Sequence, residues 1–330
     1  MLVAAEVAAQ GVDMVVLESG AATSERSKAT TFHARAVQCL ARCGCLLAPP
    51  SRPAGRTATM LFRSAGILGL SISAPETEPD PILKFPQVEL ERLFDCRARS
   101  NGARVLREHR VTDMAQGRNG VRGSARSPQG RRMFTVAYVV GADGARSTVC
   151  EMAGIAFGVS SPTMSAMTGL VRIPDDQAVP VGRHRTPKGW LIAKGGSDGR
   201  TLIHTLACGD ASSSRHLPLT PDELSREVSR IAGRGITMAG PCWLSRFSDF
   251  TRLARTYRAG RFFLAGNAAH VHSPIGGQGL STGVLDALNL SWKLALVVRG
   301  PRPANCSTPT GRNGGPLPSG SSATPVPRSR

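Results

Sequence analysis

Aromatic side chains make up only 5% of the 330 residues, which leaves few platforms on which nucleic-acid bases could stack. Acidic residues are scarce too: 23 Asp and Glu stand against 41 Lys and Arg, for a formal net charge of +18. A surplus of that size invites a polyanionic partner. The basic residues are scattered along the whole chain, however, and no specific nucleic-acid binding is expected. No apolar run reaches the roughly 18 residues of a membrane-crossing helix. The start, MLVAAEVAAQG, is apolar, but Glu6 interrupts it and no basic stretch precedes it, so it does not read as a signal peptide. The eight cysteines include Cys39, Cys43 and Cys45 but form no C-x-x-C pair. They read as reduced thiols of a cytoplasmic protein, with no metal site.

A chain of this length buries a real core and usually holds about two domains. Leu2 to Gln10 is Ala-rich and helical, with Gly11 suited to the position that ends such a helix. Val12 to Leu17 is a short apolar run typical of a buried parallel strand, and it ends at Glu18. An acid at the tip of the second strand of a βαβ unit can hold a ribose hydroxyl; a solvated loop glutamate is the equal alternative. A dinucleotide fold also needs a first strand and a G-x-G-x-x-G turn before that helix. The sequence begins where such a turn would end, and Gly233-Arg-Gly235 is no substitute, because Met238 replaces the third glycine.

Farther along, Thr31 to Cys43 reads as a helix and residues 46–80 as loops with short strands. Pro86 to Ser100 reads as a helix with Val88, Leu90, Leu93 and Phe94 on one face. Alternating segments from Ala103 to Val140, broken at 116–120 and 127–130, predict a β-meander. Residues 164–255 read as short strands with one helix, Pro221 to Ile231. From Pro301 to Arg330 large apolar residues are almost missing, and disorder is expected.

Two stretches carry the chemistry. In the first, an apolar strand (Phe262 to Ala265) runs into Gly266-Asn267, then a turn with Pro274, Gly276, Gly277 and Gly279, then an amphipathic helix from Leu280. A glycine turn delivered to a helix N-terminus gathers free N–H groups and a positive dipole end at one point. In the second, Tyr138 to Val140 leads into Gly141-Ala-Asp143-Gly144, with a helix expected from about Ala145. The first stretch resembles the GDAAH…P-x-GGQG motif of the FAD-dependent aromatic hydroxylases, with Asn267 in place of the aspartate. The second resembles that family's other fingerprint, whose aspartate lies by the FAD pyrophosphate. Lys28 to Arg35 (KATTFHAR) is similar to its RAxxLHAR segment, and Pro86-Gln87 with Glu89-Leu90 to its PQxxLE helix start.

The resemblance implies an α/β chain: a three-layer βα fold of the FAD/NAD(P)-binding kind, with a mostly antiparallel substrate domain inserted. On that plan residues 1–45, 86–160 and 256–300 form the FAD-binding domain, and 46–85 with 161–255 the substrate domain. The resemblance also implies FAD as cofactor, NADPH or NADH as co-substrate, and hydroxylation of an aromatic or polyketide substrate by O2 through a flavin hydroperoxide. It assigns cofactor contacts to Glu18, Arg35, Gln87, Asp143, Gly266, Asn267, Pro274, Gly277, Gly279 and Leu280, and names no catalytic base. A truncated, catalytically silent relative with weak or no FAD binding is the alternative. Other readings of the same residues do worse. His270-x-His272 lacks a third metal ligand. Gly279-Leu-Ser281-Thr-Gly283 matches a nucleophile elbow, but no histidine follows Ser281. Leu288 and Trp292 read as core, and so do Met164, Met167, Trp190 and Trp243, for which lining an apolar pocket is the alternative.

Overall fold

The computed structural model describes residues 1–23, 29–46, 58–64, 67–74, 79–195, 199–208, 217–273 and 277–300. Lys28, Pro274, Gly276 and the tail 301–330, considered above, lie outside them. The helices among the described residues are α1 (Leu2–Ala8), α2 (Ala34–Arg42), α3 (Gln87–Ser100), α4 (Thr148–Met152), α5 (Pro221–Ala232) and α6 (Gly279–Arg299). No helix among them is long and apolar enough to cross a membrane. Among the described residues the chain divides into two compact units, one within Met1–Gly158, Leu253–Val271 and Gly276–Arg330, the other within Val159–Arg252 and His272–Ile275.

The first unit is α/β and three-layered. Its centre is a parallel pair, Val139–Gly141 beside Phe262–Leu264. Side chains alternate across a strand, so Phe262 and Leu264 face one way and Phe263 and Ala265 the other. The first pair packs with Val121, Val149, Ile155 and Tyr257, on the side of the antiparallel meander Arg110–Gly117, Gly120–Ser127 and Gly130–Val136. The second packs with Leu290 and Leu294 of α6. Each fully buried side chain of this size contributes about 1.5–3 kcal/mol. A second parallel pair, Val15–Leu17 with Arg104–Leu106, follows α1 and α3. Leu2, Val7, Leu40, Leu90, Phe94, Val284 and Ala287 knit α1, α2, α3 and α6 into one core.

Several elements depart from the expected pattern. Thr31–His33 is a strand paired with Ile82–Lys84, and α2 starts only at Ala34; β-branched Thr31 and aromatic Phe32 suit a pleated surface better than a helix start. That pairing also ties residues of the expected substrate-domain segment 46–85 to the first unit. Gly144 takes a left-handed φ of 84°, which delays α4 until Ser147 caps it. Leu93 is 37% exposed, because the buried stripe of α3 runs through Leu90, Phe94 and Ala98. Trp292 is 48% exposed rather than core, since α6 buries Leu290, Ser291, Lys293 and Leu294 around it.

The second unit is a five-stranded antiparallel sheet in the order Gly182–Thr186, Gly189–Gly195, Thr201–Cys208, Met164–Arg172, Ala239–Ser248. Helix α5 covers one face through Leu224, Val228 and Ile231, against Val171, Leu191, Ala193 and Ile203. The sequence sets the limits of α5 clearly: the Thr220 hydroxyl accepts the Glu223 N–H, Pro221 opens the first turn, and left-handed Gly233 ends the last. Met164, Met167, Trp190 and Trp243 are half-buried in this sheet.

Candidate functional site

The two glycine turns singled out in the sequence leave from the carboxyl ends of neighbouring parallel strands. Gly141 pairs with Leu264, and the Ala265 N–H donates to Gly141 O at 2.9 Å. The crevice outside the carboxyl ends of parallel strands is where open α/β folds bind ligands. Close approach explains Gly141, and a left-handed backbone explains Gly266. A Cβ on Gly141 would lie 2.7 Å from Val149 Cβ and 3.0 Å from Leu264 Cδ2. Gly266 adopts φ 58° and backs onto Gly283 of α6, where an added Cβ on Gly283 would lie 3.5 Å from Gly266 Cα.

Buried Asp286 holds this turn from behind. Its Oδ2 accepts the Gly266 N–H at 3.0 Å and His270 Nε2–H at 2.6 Å. The Tyr257 ring stacks on His270 with centroids 6.2 Å apart, and burial together with the Asp286 charge raises the Tyr257 phenol well above its usual range. His270 is thus spoken for by a carboxylate, and no group of three or more metal-ligating side chains exists among the described residues. Asp286 was missed in the sequence, although a signal exists. It stands on the same helical stripe as Leu290 and Leu294, and a lone acid on an apolar stripe requires a partner.

Among the described residues nothing caps the N-terminus of α6. Gln278 makes no side-chain cap, and no acidic residue lies in the first turn. Gly277 takes φ 64°, and no atom of the described residues lies within 4 Å of where a Cβ on Gly279 would stand. Leu280 is half-buried beside it. The segment before Arg35 docks here: the His33 N–H donates to Ser281 Oγ at 3.1 Å, and His33 Nδ1 lies 3.3 Å from the same oxygen. Burial and then Lys84 lower the His33 pKa. Ser281, considered above as a nucleophile, serves instead to anchor His33. Arg35 is exposed at the start of α2 and Asn267 is exposed beside Gly266.

The remaining predicted residues are engaged locally. Glu18 Oε1 accepts the Gly20 N–H at 2.7 Å, closing its own turn. Asp143 accepts the Ser147 hydroxyl at 2.5 Å and the Val149 N–H at 3.1 Å, organising the start of α4. Gln87 donates to Glu91 Oε1 at 2.7 Å within α3.

Residues 1–306 match the family described as FAD binding domain. The chain belongs to that family. This FAD-binding chain is 34% identical over 308 residues to an uncharacterized aromatic compound monooxygenase of Bacillus subtilis (strain 168), covering 92% of itself and 60% of the relative. Among solved structures it is similar to OxyS anhydrotetracycline hydroxylase from Streptomyces rimosus, with TM-score 0.80, 31% identity, and coverage of 93% of this chain and 61% of that one. It is equally similar to Diels-Alderase PyrE3 of pyrroindomycin biosynthesis, with TM-score 0.79, 32% identity, and coverage of 93% and 65%. The chain thus spans about 60% of the length of the relatives it matches. FAD is the cofactor of the family, and among the described residues the N-terminus of α6, with no side-chain cap and with space at Gly279, is compatible with such a group.

Proposed function

We propose that the chain is the FAD-binding part of a cytoplasmic, NAD(P)H-using monooxygenase acting on an aromatic or polyketide substrate with O2. The observation that carries this reading is the meeting of two glycine turns, at 141–144 and 266–267, at the ends of paired parallel strands, with the second turn held against α6 by Asp286. Bound FAD would supply redox and oxygen chemistry that no side chain offers.

The chain's own residues would bind and orient it. Backbone N–H groups of Gly279 and Leu280, at the positive end of α6, would stabilise negative charge on the flavin ring by about 0.3–1 kcal/mol each. Gly266, Gly277 and Pro274 would shape the seat of the ring. Glu18 and Asp143, having closed their own turns, would offer their remaining lone pairs to ribose and phosphate-side groups. Arg35 and Gln87 would reach the nucleotide. Asn267 would take the ribityl position with one acceptor oxygen and no charge. Charge-assisted hydrogen bonds are roughly twice as strong as neutral ones, so an aspartate there would hold FAD tighter.

The experiment is to purify the full chain, load it with FAD, and record the visible spectrum after desalting. A retained two-banded flavin spectrum is expected, with about tenfold tighter binding in Asn267→Asp, the worth of one charged hydrogen bond. A protein that stays colourless with excess FAD would establish the silent relative instead. The likeness to Diels-Alderase PyrE3 supports a second reading, a ring-forming reaction without net oxidation; substrate-dependent consumption of NADPH or NADH separates the two.

A further inference from the structure

The sheet of the second unit has a face that α5 does not cover. Which residues point there follows from Gly169, where an added Cβ would lie 2.7 Å from Leu224 Cδ2 of α5. Alternation then turns Thr168 and Leu170 to the opposite face. Ile203 and Leu191 pack under α5, so His204, Trp190 and Ile192 also point away from it. The register sets these residues in rows. Ile192, His204, Thr168 and Ser245 stand directly opposite one another across four strands. On one side runs the row Trp190, Leu206, Ala166 and Phe247, and on the other Lys194, Leu202, Leu170 and Trp243. The face is therefore largely apolar, with one polar stripe through its middle and the cations Lys194 and Arg185 at its edge.

Thr168 is the anomaly in that stripe. It is only 7% exposed, and its hydroxyl has no hydrogen-bond partner among the described residues. Thr205 on the α5 side shows the ordinary arrangement, with its Oγ1 accepting the Met167 N–H at 3.1 Å. Buried hydroxyls are almost always paired, so an unpaired one facing away from the covering helix points to a ligand. His204 stands next to it in register. Burial and the Lys194 charge push its pKa down to about 4, which leaves a neutral ring with one donor and one acceptor nitrogen at pH 7. At the rim the Arg185 guanidinium sits 5.7 Å from the Trp190 ring centroid.

We infer that Thr168 and His204 are a specificity-determining pair that hydrogen-bonds the hydroxyl or carbonyl oxygens of a planar fused-ring phenol or quinone, with Trp190, Leu206 and Leu170 against its rings. Only the description of this ligand as the substrate rests on the monooxygenase reading; the recognition itself needs no flavin. A purely aliphatic ligand would leave the polar stripe unmatched.

The test titrates the full chain, without FAD or NAD(P)H, with 1,8-dihydroxyanthraquinone and with unsubstituted anthraquinone, following tryptophan fluorescence. The dihydroxy compound is expected to bind at least tenfold tighter. Thr168→Val, close in shape, should abolish most of that preference, Thr168→Ser should restore it, and His204→Phe should reduce it, with binding of anthraquinone unchanged. Equal affinity for the two compounds, or a preference that survives Thr168→Val, overturns the inference. A chain that fails to retain FAD but shows the Thr168-dependent preference supports it and counts against the monooxygenase reading alone.

Discussion

His270 Nε2 lies 2.6 Å from Asp286 Oδ2, and both side chains are buried, at 2% and 3% exposure. The same oxygen takes the Gly266 N–H. One carboxylate thus fixes the backbone of the turn and the histidine that follows it, from a helix that starts at the candidate flavin seat.

Removing that carboxylate strands two buried donors. Asp286→Ala should destabilise the chain by about 2–4 kcal/mol, from the cost of leaving buried polar groups unpaired. Asp286→Asn keeps one acceptor and should cost less. Urea denaturation of the FAD-free protein measures both. A change within about 0.5 kcal/mol for the alanine variant, the range of an ordinary surface substitution, would show that Asp286 does not hold the turn.

Gly141 is constrained by contact rather than by its dihedral angles. An added Cβ would meet Val149 Cβ at 2.7 Å and Val149 Cγ1 at 2.8 Å, so Gly141→Ala should cost about 1–3 kcal/mol, as overpacking does. Val149→Ala in the same chain should recover part of that loss. The coupling is read from a double-mutant cycle, and simple additivity of the two substitutions would refute the close packing of α4 on the strand.

His204 should make stability depend on pH. Its folded-state pKa of about 4 lies below the ordinary value near 6.5. As pH falls through about 6.5 the unfolded chain takes up the proton first, so stability drops between about pH 6.5 and 4 and levels off below. One proton gives a slope of at most about 1.4 kcal/mol per pH unit, and the partial exposure of His204 keeps the effect under that limit. His33, also shifted down, acts in the same direction. The decisive comparison is therefore His204→Phe, whose melting temperature should fall less than that of the parent chain between pH 7 and pH 4.5. Parallel curves would contradict the depressed pKa.

Local patterns made most elements legible. Thr220-Pro221 and Gly233 bound α5 because capping and left-handed geometry depend on a few adjacent residues. The breaks at 116–120 and 127–130 marked the meander turns for the same reason. The start of α2 was misread because Thr31–His33 is recruited by Ile82–Lys84, a partner far off in sequence. Trp292 was misread because the buried stripe of α6 passes beside it.

The sequence by itself determined the kind of site: two glycine turns in strand-to-helix context, with an asparagine where the resemblance expects an aspartate. Such turns are short-range features, written in glycine, proline and the residues that flank them. Only the tertiary structure decided that the turns sit side by side, that Asp286 engages His270, and that Thr168 and His204 share one sheet face. Those are distances between segments remote in the chain, set by strand register and helix packing, and no local pattern encodes them.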